Sequence, residues 1–184
     1  MTAAADIARL DDILADRRLL GDLRSDHAGE TGAVWIYRGI LTFSKDPAVR
    51  AFAEEHMATE AQHLDLVCDI LPPAKRSLLT PAWKVAGWLT GALPALFGSR
   101  AVYLTIEAVE TFVDRHYQEQ IDYLDEIDGD PALRALLVTC QADEVHHRDE
   151  AREAAGGPPG PVARLWTNVV GAGSQGAVKI ARVI

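Results

Sequence analysis

The chain has 184 residues, of which 48% are apolar and 24% are charged, and its formal net charge is −9. This composition is typical of a folded protein with one sizeable core and excludes extended disorder. The acidic balance disfavours a nucleic-acid partner, because binding to phosphates requires a basic surface.

The amino-terminal residues have neither the layout of a signal peptide nor the basic character of a transit peptide. We expect residues 1–9 to be frayed. The longest uncharged run, residues 85–99, is too short to span a bilayer and is interrupted by Pro94. No transmembrane helix is therefore expected.

Apolar residues recur at helical spacing almost throughout the chain, and no period-two strand pattern is convincing. Turn signals such as "KDP", "LPP", "DGDP" and "GGPPGP" separate the predicted helices, with Asp46 as an N-cap before Pro47. The predicted helices cover residues 10–44, 47–70, 81–97, 99–127, 131–155 and 162–184.

Four of these helices are long, and one extended connection joins the two pairs. This pattern predicts an all-α fold in which a four-helix bundle carries two additional apolar helices, at 81–97 and 162–184. No flexible linker divides the chain, so residues 1–184 are expected to form a single domain. Cys68 and Cys140 fit neither a zinc spacing nor a disulfide framework, and we interpret them as packing residues.

One carboxylate interrupts the inward apolar stripe of each long helix. A lone buried carboxylate is costly unless it is paired or bound to a metal. In "EAQH" and "EVHH" a histidine follows the glutamate at i+3, on the same helix face. Four glutamates and two histidines from four helices are the ligands of a di-iron or di-manganese site. The predicted ligands are Glu30, Glu60, His63, Glu110, Glu144 and His147.

Two neighbours compete with these ligands. Glu107 lies one turn from Glu110 but fits the apolar stripe less well, and His146 lacks the i+3 spacing of His147. A single Glu-x-x-His is weak evidence, because most occurrences are exposed ion-pair partners. Two such motifs are stronger evidence, because a core-facing glutamate precedes each of them. Glu30 lies 30 residues before Glu60, and Glu110 lies 34 residues before Glu144.

The motifs "DHAGETGAVWIYRG", "EAQHL", "LTPAWKVAGWLTGALPALFG", "AVETFVDRHYQEQI" and "DEVHHRDEA" occur in the order seen in the demethoxyubiquinone hydroxylase family. The resemblance covers nearly the whole chain from Leu20. It implies a ferritin-like fold and a centre of two iron ions held by the six predicted ligands. It further implies hydroxylation of the demethoxyubiquinone ring with dioxygen in ubiquinone biosynthesis, with NADH as a possible electron donor. "RHY" at 115–117 departs from the family's "HHY" by Arg115, and the last helix is less polar than is usual in the family.

Several other residues are candidates for supporting roles. The ligand histidines need acceptors on their outer ring nitrogens, and Asp143 and Asp26 are candidates. Tyr117 is either a core tyrosine bonded to a carboxylate or, together with His116, a relay of protons or electrons near the quinone. His27 and His56 point roughly inward, and we interpret them as supporting or packing groups.

In the apolar helix at 81–97, Lys84 is the only charged residue. One interpretation is that this helix lies in the membrane interface and admits an isoprenoid tail. The other is that it forms a lid over the bundle or a dimer surface. The resulting expectation is a peripheral protein on the cytoplasmic face of a bacterial inner membrane, as a homodimer or within a biosynthetic complex. The rival functions are a ferritin-like iron oxidase or storage protein, an electron-transfer protein, and a non-catalytic quinone-binding accessory protein. Ligand type does not rank iron above manganese.

Overall fold

The computed structural model describes residues 7–184, and in that range it contains seven α-helices and no strand. The all-α prediction is confirmed. The helices are α1 (Leu10–Ala15), α2 (Arg17–Phe43), α3 (Pro47–Ile70), α4 (Thr80–Ala95), α5 (Ser99–Glu126), α6 (Pro131–Ala155) and α7 (Pro161–Ala181), and a short 3-10 helix at Pro73–Lys75 lies between α3 and α4.

The prediction of one continuous helix over residues 10–44 is wrong, because the chain bends at Asp16. This residue has an extended backbone (φ −71°, ψ 122°), and its carboxylate accepts hydrogen bonds from the amides of Arg18 and Leu19 at 2.7 and 2.9 Å. Asp16 is therefore the N-cap of α2. The other predicted boundaries lie within three residues of the observed ones, and Asp46 caps α3 as expected.

The beginning of the described chain is attached to the bundle. Residues 1–6 of the segment expected to be frayed lie outside the described residues. In the remainder of that segment, Ile7 is buried and the backbone amide of Arg9 donates to a carboxylate oxygen of Asp130 at 3.2 Å. These contacts tie residues 7–9 to the start of α6.

The four long helices form a bundle in which α2 pairs with α3 and α5 pairs with α6. The two additional helices lie on one side of this bundle, since α4 packs on α2 and contacts α5, while α7 packs on α5 and α2. None of the helices in residues 7–184 combines the length and the apolar character needed to cross a membrane.

The buried apolar residues form two clusters, and the stripe carboxylates lie between them. On α2, for example, Glu30 lies between Leu23 of one cluster and Tyr37 of the other. The same order holds for Glu60 between Phe52 and Val67, for Glu110 between Ile106 and Tyr117, and for Glu144 between Cys140 and Ala151. The bundle therefore contains a buried polar layer between two apolar layers. Cys140 is buried in one of these clusters, whereas Cys68 is only partly buried, and both are free thiols.

Helix α4 approaches α2 so closely that only glycine fits at the contact. A Cβ atom at Gly87 would collide with the backbone of Gly32, and one at Gly91 would collide with the carbonyl of Ile36. The inner face of α4 is thus fixed against the bundle. Its outer face exposes the large apolar side chains of Val85, Leu89 and Leu93.

Candidate metal centre and adjoining cavity

The fold brings all six predicted ligand residues together in the polar layer. They form two groups, and within each group one potential ligand atom per residue lies within 4.8 Å of all the others. Glu60 and Glu144 belong to both groups, so their carboxylates lie between two possible metal positions. The first group adds Glu30 and His63 to this pair, and the second adds Glu110 and His147.

The two Glu-x-x-His motifs cross over between α3 and α6. Nδ1 of His63 lies 3.1 Å from Oε1 of Glu144, and Nδ1 of His147 lies 3.1 Å from Oε1 of Glu60. Within its own motif each histidine is farther from its glutamate, at 3.8 and 3.6 Å. The two motifs therefore form one cluster.

Several polar atoms of this cluster are buried without a hydrogen-bond partner. They are Oε2 of Glu30, Oε1 of Glu60, Oε2 of Glu144 and Nδ1 of His147. An unsatisfied buried polar atom costs about 1–3 kcal/mol, so a group of them in a native core needs an explanation. Metal cations bound between these atoms would satisfy them, and the donor set fits two divalent ions.

The electrostatics of the metal-free cluster show how strongly its charges interact. Burial and the neighbouring Glu60 and Glu144 raise the pKa of Glu30 well above its usual value, and burial with the same neighbours does so for Glu110. Burial also opposes the charge of Glu60, but the neighbouring His147 and His63 rings favour it and lower the pKa to about 2. The carboxylates of Glu144 and Glu60 outweigh the effect of burial on His147 and raise its pKa to about 9. Without metal the cluster therefore retains protons.

The two competing residues lie outside the cluster. Glu107 is partly exposed and accepts a hydrogen bond from Arg152 at 2.8 Å. The side chain of His146 is 69% exposed, whereas that of His147 is 2% exposed.

Of the two predicted acceptors for the outer histidine nitrogens, only Asp143 has the required geometry. Its Oδ2 lies 3.0 Å from Nε2 of His63. The prediction for Asp26 is wrong, because α2 directs this side chain toward α5 and away from the cluster histidines. There it accepts a hydrogen bond from Gln120 at 2.8 Å and lies 3.2 Å from Nε2 of His116.

Tyr117 and His116 both line the approach to the cluster. The hydroxyl of Tyr117 donates to Oε1 of Glu30 at 2.6 Å, which matches the interpretation of a core tyrosine bonded to a carboxylate. Nε2 of His116 lies 3.0 Å from Oγ of Ser25, whose hydroxyl donates to the carbonyl of Asp22. Ser25 therefore accepts from His116, a contact that the sequence did not predict.

The two remaining inward histidines are both buried. His27 has no hydrogen-bond partner for Nδ1, and burial together with the positive charges of Arg76 and Lys84 lowers its pKa to about 4. The His56 ring makes an edge contact with the ring of His147, with the centroids 4.0 Å apart. Both histidines thus belong to the supporting structure, as predicted.

A cavity of about 530 Å³ adjoins the cluster on the side covered by α4 and α7. Its inner end contains four carboxylates of the cluster, and its walls are mostly apolar. Trp83 of α4 and Trp166 of α7 both line the wall. The contribution of α7 was missed from the sequence, although its small residues Gly173, Gly176 and Ala177, which line the cavity, recur at helical spacing.

Comparison with known proteins identifies the family. The family described as "Ubiquinone biosynthesis protein COQ7" matches residues 18–181. The chain belongs to this family. The family resemblance inferred from the sequence motifs is therefore confirmed.

Proteins similar to this chain occur in bacteria and eukaryotes. The 3-demethoxyubiquinol 3-hydroxylase of Rhodospirillum rubrum is 35% identical over 89% of this chain and 82% of its own length. The enzyme of the same name from Cupriavidus metallidurans is 33% identical over 81% of this chain and 72% of its own. The "NADPH-dependent 3-demethoxyubiquinone 3-hydroxylase, mitochondrial" of Caenorhabditis elegans is 29% identical over 88% of both chains.

Proposed function

We propose that the protein is a di-iron monooxygenase that hydroxylates the ring of a demethoxylated ubiquinone precursor with dioxygen, as a step of ubiquinone biosynthesis. The observation that carries this proposal is the position of the Glu60 and Glu144 carboxylates, which are shared by two possible metal positions at the inner end of an apolar cavity. The hydroxylase names of the relatives supply the substrate class.

The metal ligands in this proposal are the six residues of the cluster. Glu60 and Glu144 would contribute to both positions, while Glu30 with His63 would complete one and Glu110 with His147 the other. When bound, the two iron ions supply the activation of dioxygen. Manganese would accept the same donors, so the assignment to iron rests on the family.

The cavity residues bind and orient the substrate. The mostly apolar walls accept the ring and the first part of an isoprenoid tail, and they exclude water from the polar cluster. His116 is held by Asp26 and Ser25 at the cavity wall, where its ring can exchange a proton with an oxygen of the quinol. Tyr117 fixes the orientation of Glu30.

The electrons come from a nicotinamide nucleotide in this proposal. Two relatives are named as NADPH-dependent, from Dictyostelium discoideum and Caenorhabditis elegans. The sequence-based expectation of NADH and the NADPH of these names belong to the same class of hydride donor. We keep NADH as the first donor to test.

We also propose peripheral association with the cytoplasmic face of the inner membrane through α4 and α7. Twelve of the fifteen large apolar residues that are exposed in residues 7–184 lie on or beside these two helices. Residues 70–106 and 154–184 contain no acidic residue but seven of the 18 basic ones. All 27 acidic residues lie elsewhere, so the surface around the cavity is apolar and positive, as an anionic lipid surface requires.

The activity is tested with iron-loaded protein, quinol substrate, NADH and ¹⁸O-labelled dioxygen, followed by mass spectrometry of the quinone. We expect one labelled oxygen on the ring, and no product from the Glu144→Ala variant. Iron oxidation with the quinone unchanged would contradict the proposal and favour an iron oxidase. Quinone binding without either reaction would favour an accessory protein.

Membrane association is tested by co-sedimentation with vesicles of phosphatidylcholine alone or mixed with phosphatidylglycerol. We expect stronger binding to the anionic vesicles and weaker binding by a Leu96→Ala/Phe97→Ala variant, because both side chains are exposed beside α4. Val138→Ala on α6 is the matched control. If the double variant instead changes the sedimentation velocity of the protein without vesicles, this surface is a homodimer interface.

A further inference from the structure

His56 is a buried polar side chain with no role in the proposed reaction. Its side chain is 2% exposed, and its ring lies against that of His147. On the other side, its Nε2 atom lies 2.9 Å from Oε2 of Glu150, whose side chain is 41% exposed. His56 therefore connects the metal cluster with the surface between α3 and α6.

A second histidine approaches the same carboxylate from the solvent side. Nε2 of His146 lies 3.8 Å from Oε2 of Glu150, one helical turn away. The His146 side chain is largely exposed, so a side-chain rotation can bring it closer without repacking the core. After such a rotation, two imidazoles and one carboxylate would surround a single position, and this donor set binds Fe²⁺, Co²⁺ and Zn²⁺.

The charge around this position favours cations. Glu55 is close enough to act on the charge of His56, and it forms no ion pair with residues 7–184. Asp149 is close enough to His146 to interact with it, although it also pairs with Arg148 and Arg152. A negative surface of this kind raises the local concentration of divalent cations.

The cavity under α4 and α7 is a poor route for a metal ion. Its walls are mostly apolar, and a hydrated divalent cation loses much hydration energy in such surroundings. On the opposite side of the cluster, three donor side chains become progressively less exposed, in the order His146, Glu150 and His56. The ring of His56 contacts that of His147. A cation can exchange ligands stepwise along this series.

We propose that His56, His146 and Glu150 form an outer metal site that captures a divalent transition-metal ion and passes it to the buried centre through His147. This inference rests on the proposed function, since it requires a buried centre that takes up metal. The outer site binds more weakly than the inner positions, because it has three donors, two of which are solvent-exposed. No redox step is involved, and the ion only exchanges ligands.

The test compares wild-type protein with a His146→Gln/Glu150→Gln double variant in Co²⁺ binding without oxygen. Both substituted side chains are at least partly exposed, so the fold should be retained, and circular dichroism checks this. Glu153→Gln is the matched control, since this exposed carboxylate lies one turn farther along α6. The number of bound ions is measured by equilibrium dialysis, and the filling rate is measured by stopped-flow absorbance.

We expect wild type and the control to bind a third, weaker Co²⁺ ion that the double variant lacks. The two tight ions should remain in the double variant but bind more slowly, on the order of tenfold. A third ion that persists in the double variant would overturn the outer site. An unchanged filling rate of the two tight positions would overturn its role in delivery. Fewer than two tight ions in wild type would overturn the proposed function itself, so the two failures are distinguishable.

Discussion

Tyr117 of α5 donates a hydrogen bond to Glu30 of α2, with 2.6 Å between Oη and Oε1, and both residues are buried. The contact is one of several side-chain contacts between these two helices, together with those of Gln120 with Asp26 and of His116 with Ser25. It satisfies one oxygen of Glu30 and leaves the other, Oε2, without a partner at the centre of the cluster. Tyr117 is therefore a positioning residue for a proposed metal ligand.

Replacement of Tyr117 with phenylalanine should preserve the packing but release Glu30. Loss of such an orienting hydrogen bond typically lowers metal affinity by about 10–100-fold. The measurement is a Co²⁺ titration of the Tyr117→Phe variant under anaerobic conditions. Tyr123→Phe is the control, because the hydroxyl of this tyrosine donates to Asp16, outside the cluster. Equal affinities for Tyr117→Phe and wild type would show that Tyr117 does not orient the ligand.

Metal binding should release protons from the cluster. The pKa values of Glu30, Glu110 and the histidines His63 and His147 are all raised in the metal-free protein. Groups with raised pKa values hold their protons more tightly and must lose them to bind a cation, so affinity should rise with pH, above all toward the pKa of about 9 of His147. Calorimetry in buffers of different ionisation enthalpy counts the protons. An affinity that is constant between pH 6 and 8 would disagree with the protonated cluster.

The ion pair between Arg182 and Asp22 should hold the end of α7 against α2. Nη2 of Arg182 lies 2.7 Å from Oδ1 of Asp22, which is buried, and the other nearby cation, Arg18, lies 3.7 Å away. Because the Arg182 side chain is about one-third exposed, Arg182→Gln should cost less than the roughly 3–5 kcal/mol of a fully buried pair. We expect faster amide hydrogen exchange in α7, with Arg164→Gln as the control. Unchanged exchange would mean that apolar packing alone fixes this helix.

Replacement of Gly91 with alanine should disrupt the packing of α4 on α2, because the added Cβ atom would meet the carbonyl of Ile36. Neither backbone can move without separating the helices, so we expect destabilisation of about 1–3 kcal/mol or more. Gly171→Ala on α7 is the matched control, since open space surrounds that position. It should be neutral or stabilise by about 0.5–1 kcal/mol. Denaturant unfolding that ranks the two variants in the opposite order would contradict the close contact.

The ligand cluster could be predicted from the sequence because the pattern that places each ligand lies within a single helix. Each of the four glutamates occupies an inward position that helical periodicity alone assigns, and the i+3 histidines follow from the same geometry. The bend at Asp16 was missed because the apolar pattern continues across it, and only the capping hydrogen bonds reveal the break.

Contacts between helices were less accessible to sequence reasoning. The true partners of Asp26 are Gln120 and His116 on α5, and no periodicity on α2 specifies which helix faces that side chain. The contact of His56 with Glu150 likewise depends on how α3 packs against α6. Such relationships are set by tertiary packing.

The central claim is that Glu60 and Glu144 join two metal positions into one centre, and iron spectroscopy tests it most directly. Protein loaded with Fe²⁺ and then exposed to oxygen should contain two irons per chain, with the Mössbauer spectrum of a coupled diferric pair. The Glu60→Ala variant should lose this coupling. One iron per chain in the wild type, or two irons that are magnetically independent, would contradict the account.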